Sequence, residues 1–535
     1  MSEWLTEMRR ALFICAVLLS ACTSEKLPPR QTPLTTPAPV TFSDKVFRSL
    51  DDALVSPESV LHLKLEDNQL TTFPMEIFRL KNLRRLDIDN NALTVVPPEI
   101  GTLQHLEELD LDKNQLTSLP REIGQLGQLK SLDLDHNQLT TVPEEIGDLR
   151  NLIELDLSYN RLTSLPASIG NLEALPAVDL RYNELAALPE EIGALKSLTT
   201  LLLTSNKLTT LPAGIGGLDK LRTLALADNQ LATLPEEIGA LTELRTIYIT
   251  NNKLTGLPAS IGDLKLISEL DLTQNQLTSL PDELGAMSEL TTLTLSHNQL
   301  QSLPAGIGGL GALITLTADN NLLRTLPPEI GNLKEVTTLQ FDKNQLTALP
   351  AEIGKLSNLV LLAVEENRLT ALPAEIGALA NLRELELDGN QIAALPDTIG
   401  QLTALDKLDL ENNQMDAIPA AVCKLTGLVY LDFHGNRLQR LPGDIRQLTQ
   451  VEFFDLSGNR LTALPAFIGE MAALENLGLA NNQLRALPQE IKKLARLVEL
   501  SLEGNPLPKK TLDDTDIWLR AQRDTLESQW GNYGD

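Results

Sequence analysis

Asparagine recurs at positions 68, 91, 114, 137, 160, 183, 206, 229, 252, 275, 298, 321, 344, 367, 390, 413, 436, 459, 482 and 505, and every interval is 23. Twenty units without an insertion or deletion point to stacked supersecondary repeats rather than separate globular domains, because each short unit can bury its apolar face only against the next. Measured from each asparagine, aliphatic residues recur eight, five and three positions before it, and two, five, nine and twelve after. One unit reads Leu106, Leu109, Leu111, Asn114, Leu116, Leu119, Pro120, Ile123, Gly124, Leu126. The stretch before the asparagine alternates apolar and variable residues with period two, which predicts a short strand. Parallel neighbours in such a stack lie ~4.8 Å apart.

The back half of the unit reads differently. Proline follows six positions after the asparagine in the first nineteen repeats, from Pro74 to Pro488. Its fixed φ and missing donor favour an extended, polyproline-like segment over a full helix. Glycine sits ten positions after the asparagine except at Phe78, Cys423, Arg446 and Lys492. It is expected to mark a tight bend before the next strand.

These residues resemble the leucine-rich repeat, in its 23-residue class with an LPxxIGxL back half, over roughly residues 60–507. The lead-in FSDKVFRSLDDALVSPESV resembles the cap that precedes such arrays in bacterial lipoproteins of this family. The resemblance implies an α/β solenoid, a horseshoe or superhelix. Its parallel β-sheet would line the concave face and polyproline or 3-10 segments the convex face. It also implies that each asparagine turns inward to satisfy backbone groups, the expected fate of a buried amide.

The two ends follow other rules. Arg9 and Arg10 precede an apolar run of about ten residues, too short for a transmembrane helix and suited to a signal sequence. Leu19-Ser20-Ala21-Cys22 matches the bacterial lipobox, which implies lipidation of Cys22 and a signal peptide over 1–22. Five prolines with Ser and Thr over 23–41 read as a tether. Residues 42–59 read as the N-terminal cap. Residues 508–535 read as a helical cap in which Leu512, Trp518, Leu519, Leu526 and Trp530 share one side. Cys423 is left as a single thiol in the array, so no internal disulfide staples it.

Charge and motif content narrow the function classes. Asp and Glu number 72 against 44 Lys and Arg, a formal net charge of -28, and aromatics make up 3%. A nucleic acid partner needs a basic footprint that this chain lacks. Gly306, Gly308 and Gly311 satisfy GxGxxG but fall on the convex segment, where a dinucleotide site has no strand-to-helix turn to use. His136 and His297 share a repeat position seven repeats apart, too far to hold one metal. The uninterrupted array leaves no place for a catalytic pocket, so the reading is a non-enzyme with no cofactor.

Function is therefore expected at the variable positions six, four, two and one residues before each asparagine. Asp87, Asp110, Asp133, Asp156 and Asp179 fill one column in repeats 2–6, with Asp89, Asp112 and Asp135 in the next. A neutral zone follows, including Thr246, Tyr248, Thr292 and Thr294. In repeats 15–18 Glu386, Asp409, Asp432 and Asp455 renew the acidic column beside Tyr430 and Phe453, an exposed aromatic pair. The expected function is a surface-anchored scaffold that binds a protein, basic in character, through the concave face. Its membrane link would be the lipid anchor at the cell envelope, at the outer membrane or cell surface. The alternatives are glycan or peptidoglycan recognition by the Thr strip, and a structural or adhesive surface protein.

Overall fold

The structure, a computed structural model, describes residues 45–530, with side chains to 523. The expected signal peptide over 1–22, with Cys22, and the expected tether over 23–41 lie outside the described residues. The chain divides into residues 1–46 and residues 47–535, and the architecture below is that of the second unit.

Twenty strands of three residues run from β1 (His62–Lys64) to β20 (Glu499–Ser501), one per repeat. Each pairs in parallel with its neighbours at a constant shift of 23 residues. Leu293 thus lies between Leu270 and Leu316, and Thr292 beside Thr315. The middle residue of each strand points inward and the two flanking residues point out, as a pleat requires. Leu270, Leu293 and Leu316 are buried, while Thr292 and Thr315 are half-exposed.

Five-residue 3-10 helices back most repeats, such as Ala259–Asp263 after Pro258. The proline itself sits at φ −67°, ψ 154°, in the polyproline region, and the turn that follows closes with backbone bonds three residues apart. The expectation for glycine needs correction. The repeat glycines lie inside these 3-10 turns, not at left-handed bends. A Cβ on Gly239 would fall 2.6 Å from the carbonyl oxygen of Ser260 in the next repeat, and one on Gly308 2.6 Å from that of Glu329. Glycine is needed because neighbouring coils approach backbone to side. Where Cys423 replaces it, the 3-10 helix shrinks to Val422–Lys424 and the sulfur is buried.

The asparagines stitch the coils together. Asn298 Oδ1 accepts the N–H of Leu277, at 3.0 Å. Its Nδ2 donates to the carbonyls of Leu272 (2.9 Å), Leu295 (3.0 Å) and Ser296 (3.3 Å). Leu272 and Leu277 belong to the preceding coil, so one amide bridges two repeats. Asn114 through Asn482 are buried in the same manner, whereas Asn68, with no coil before it, is exposed.

The residue just before each asparagine adopts a left-handed backbone in all twenty repeats. Sixteen are non-glycine, from Asp67 to Asn481, and the other four are Gly389, Gly435, Gly458 and Gly504. Its N–H donates to the next coil, as Tyr159 does to the Arg181 carbonyl at 2.9 Å. Asn, Asp and Gly dominate there because they tolerate this region best.

At the front end, Ser49 caps the short helix α1 (Leu50–Leu54), and Ala53 is buried. At the far end, helix α2 (Lys509–Trp530) places Leu519 in the core, with Leu512 and Trp518 packed against it. Gln522 Nε2 donates to the carbonyls of Leu494 and Leu497 in the last coil. The side chains of Leu526 and Trp530 lie outside those described.

Truncating a shared core residue should cost far more than truncating a surface one. Leu293→Ala is expected to lose ~2–5 kcal/mol in urea unfolding, and Thr292→Ala no more than ~0.5 kcal/mol. Equal losses would mean that the two faces are misassigned.

Candidate binding surface

The strand face carries two columns of variable side chains, six and four residues before each asparagine, and the positions two and one before it fall in the corner that follows. The most distinctive region of the strand face spans repeats 15–18. Tyr430 and Phe453 are register partners. Their rings stack face to face, 4.4 Å between centroids and 1° from parallel. Stacking covers the facing surfaces, so both are half-exposed rather than exposed as expected. Lys407, one strand earlier in the same column, holds its Nζ 5.4 Å from the Tyr430 ring centroid and pairs with Glu386. A single lysine in a varied column gives no periodic signal in the sequence. It neutralises the first member of the acidic column from within.

The acidic column of repeats 15–18 is also less exposed than expected. Asp409 and Asp432 are only 6% and 2% exposed. The reason is turn chemistry. Asp409 Oδ1 accepts the N–H of Glu411 at 3.0 Å, Asp432 Oδ1 that of His434 at 2.7 Å, and Asp455 Oδ1 that of Ser457 at 2.6 Å. Tyr430 Oη donates to Asp432 Oδ2 at 3.1 Å. The same aspartate-to-backbone bond recurs at Asp110, Asp133, Asp156, Asp179 and Asp271. Aspartate here closes the corner after the strand, so its periodicity is structural before it is functional. Asp455 and Glu386 are half-buried.

Among the described residues, two acidic groups bring carboxylate oxygens within 4.8 Å of one another: Glu66, Asp87 and Asp89, and Asp409, Glu411 and Asp432. In the first, Lys64 pairs with both Glu66 and Asp87. In the second, the oxygens of Asp432 are already engaged by Tyr430 and His434.

In the neutral zone Tyr248 is exposed at 46%, and Thr246, Thr292 and Thr294 are half-exposed. The structure sets Thr246 and Tyr248 on one strand and Thr292 and Thr294 on another, two repeats away. Neither lies near Tyr430, so the candidate residues form two separate patches rather than one site.

Sequence reading missed a third patch. His136, Tyr159 and Tyr182 occupy the left-handed corner of three successive repeats, and their rings stack at 4.2 Å and 4.3 Å. The signal was present: three aromatics 23 residues apart. Read against His297, seven repeats away, His136 shows only the absence of a shared metal; its partners are the tyrosines of the next two repeats.

Burial dominates the electrostatics of the columns. It pushes Asp133 and Asp342 up to about 8, Asp409 to about 7, and Asp110 and Asp156 to about 6. Neighbouring carboxylates add to the shift, as Asp156 and Asp110 do at Asp133. Burial, with Asp409 and Asp455 close by, drives Asp432 well above the ordinary range. These raised values mean that the folded state binds protons more tightly than the unfolded chain. The resulting stability is fully present below the unfolded value near 4 and is lost as pH rises through about 6 to 8. The melting midpoint should therefore rise on acidification from pH 8 to pH 5. Asp133→Asn keeps the Oδ1 acceptor and removes the charge. It should raise the midpoint strongly at pH 8, less at pH 5, and leave it unchanged only below about pH 4. A midpoint that falls between pH 8 and pH 5 would contradict this electrostatic picture.

The leucine rich repeat family matches residues 81–139, 128–185, 174–231, 196–254, 219–277 and 266–323. A second family, the leucine-rich repeat region, matches 320–387 and 372–456. No curated protein matches the chain. Among solved structures, the plant peptide hormone receptor RGFR1, in complex with RGF2, is 34% identical. The match covers 86% of this chain and 77% of the receptor at a TM-score of 0.67. A TDR receptor is 28% identical over 84% of this chain and 81% of its own, with a TM-score of 0.62. YopM from Yersinia enterocolitica is 25% identical over 86% and 90%, with a TM-score of 0.56. With family matches running almost continuously from residue 81 to 456 over one parallel sheet backed by 3-10 turns, the chain belongs to the leucine-rich repeat family.

Proposed function

We propose that this protein is a non-enzymatic scaffold, anchored at the cell surface, that holds a protein partner on its strand face at repeats 15–18. The observation that carries the reading is the stacked Tyr430–Phe453 pair. In a chain with only 3% aromatics, two rings are fixed side by side on the outward face of the sheet. Rigid aromatics lose little entropy on binding and are the commonest anchors of interface hot spots. Asp455 and the net charge of -28 favour a partner rich in Lys and Arg, whose encounter would be steered by charge and slowed by salt. The plant peptide hormone receptor RGFR1, similar over most of this chain, was solved in complex with RGF2, which supports a peptide or protein ligand here. A second reading, glycan or peptidoglycan binding in the neutral zone, is favoured by one observation: Tyr248 stands exposed among threonines.

Anchoring rests on Leu19-Ser20-Ala21-Cys22 and the arginines before it. One acyl chain binds a membrane weakly and several hold firmly. Among the described residues no helix is long and apolar enough to cross a membrane.

Two experiments test these readings. The double variant Tyr430→Ala, Phe453→Ala, shown folded by circular dichroism, should weaken binding of a partner captured on the full-length protein by ~30-fold or more. Unchanged affinity would move the site elsewhere, with the patch around Tyr248 next. Cys22→Ala should abolish palmitate labelling and release the protein from the membrane fraction. Retained labelling and membrane association would refute the anchor.

A further inference from the structure

The His136–Tyr159–Tyr182 stack borders a shallow, open groove of about 450 Å³, lined also by Gln138 and Arg161. The groove runs along the left-handed corner of repeats 4–6, off the strand face, and its chemistry differs from the rest of this acidic molecule. Both faces of the Tyr159 ring are covered, by His136 at 4.2 Å and Tyr182 at 4.3 Å. The 40% of Tyr159 that remains exposed is therefore ring edge and hydroxyl. Aromatic edges carry positive potential and faces negative. A stack with its faces consumed offers nothing to a cation over its middle ring and a favourable edge to an anion.

The polar groups point the same way. Arg161 is exposed and makes no salt bridge among the described residues; Glu184, which feels its charge, is paired with Lys207 Nζ at 2.8 Å. The acids beside the stack are already held. Asp135 Oδ2 lies 2.9 Å from His136 Nδ1, and Asp179 takes a forked contact from Arg181, at 3.0 Å to Nε and 2.6 Å to Nη2. What faces the groove is thus a guanidinium, the Gln138 amide, two phenol hydroxyls and an imidazole edge.

The backbone decides between a peptide and a small polar ligand. The corner N–H groups of His136, Tyr159 and Tyr182 donate to Ser158, Arg181 and Thr204 of the following coils. The Asn137 and Asn160 amides are spent on neighbouring carbonyls. No strand edge is open here for a peptide main chain to pair with. Recognition must come from side-chain donors around a compact ligand.

We propose that this groove binds a sugar that carries a carboxylate, such as a uronic acid unit of an acidic polysaccharide. Arg161 takes the carboxylate in a forked pair. Gln138 and the tyrosine hydroxyls exchange hydrogen bonds with the sugar hydroxyls. The site is distinct from repeats 15–18, so its failure would leave the protein-binding reading untouched.

The test is calorimetric titration of the full-length protein with trigalacturonic acid, its methyl ester, and an acidic peptide with a free C-terminus. The acid sugar should bind, and the ester and the peptide should bind at least about 10-fold more weakly. Arg161→Gln, an exposed change that leaves the fold intact, should weaken the acid sugar by about 10-fold or more. Tyr159→Ala, which breaks the stack, should weaken it too, and Arg324→Gln, exposed but far along the array, should not. Absence of binding at millimolar sugar, equal binding of acid and ester, preference for the peptide, or indifference to Arg161→Gln would each overturn the proposal.

Discussion

A buried carboxamide that bonds to two coils at once is the interaction on which this structure depends. Leucine burial supplies most of the favourable free energy, but it is non-directional and would tolerate many stackings. Each asparagine adds direction. Its oxygen and nitrogen reach main-chain groups of its own turn and of the coil before it, as Asn298 does with Leu277, Leu272, Leu295 and Ser296. Those main-chain groups sit in an irregular corner where neither helix nor sheet can satisfy them. The amide therefore fixes both the shape of the corner and the register between coils. The constant shift of 23 residues follows, and with it the straight columns of side chains on the strand face.

Those columns show how the scaffold constrains its own surface. An aspartate four residues before the asparagine is attractive to the fold because it accepts the N–H two residues on, as Asp432 does from His434. Repeating that solution strand after strand places like charges at the spacing of a parallel sheet. The fold answers with burial, raised proton affinity and local cations, Lys407 beside Glu386 and Lys64 beside Asp87. Structural convenience and surface electrostatics are thus set by the same residues. The freer side chains are those that do not close a corner: the aromatic pair at Tyr430 and Phe453, and the stack of His136, Tyr159 and Tyr182, whose corner role is played by the backbone alone.

Much of this was legible from spacing alone. Period two before the asparagine identified the strand, and proline with its absent donor identified a back without a full α-helix, though not its 3-10 turns. The inward turn of the asparagine was implied by the family resemblance and agrees with the cost of burying an unpaired amide. What stayed hidden were features that depend on the distance between coils. The repeat glycine reads as a bend in one dimension and proves to be a close approach to the next coil's carbonyl, as at Gly239. The burial of Asp409 and Asp432 depends on a hydrogen bond within the corner, which periodicity does not encode. The left-handed residue was visible only as a loose excess of Asn, Asp and Gly, and bulky members such as Tyr159 concealed it. Stacking between corner residues was equally readable at 23-residue spacing, once the corner was treated as a column in its own right.

The register of the array has its origin in the asparagine only if that amide acts between coils rather than within one. Asn298 has a coil on either side, whereas Asn68 is exposed and has none before it. The decisive measurement is the unfolding free energy of Asn298→Ala against Asn68→Ala, in urea and at one pH. Orphaning a buried N–H and several carbonyls predicts a loss of about 3 kcal/mol or more at Asn298, and under about 1 kcal/mol at Asn68. Equal losses at the two positions would show that the amide serves only its own turn, and that the register of the array has another origin.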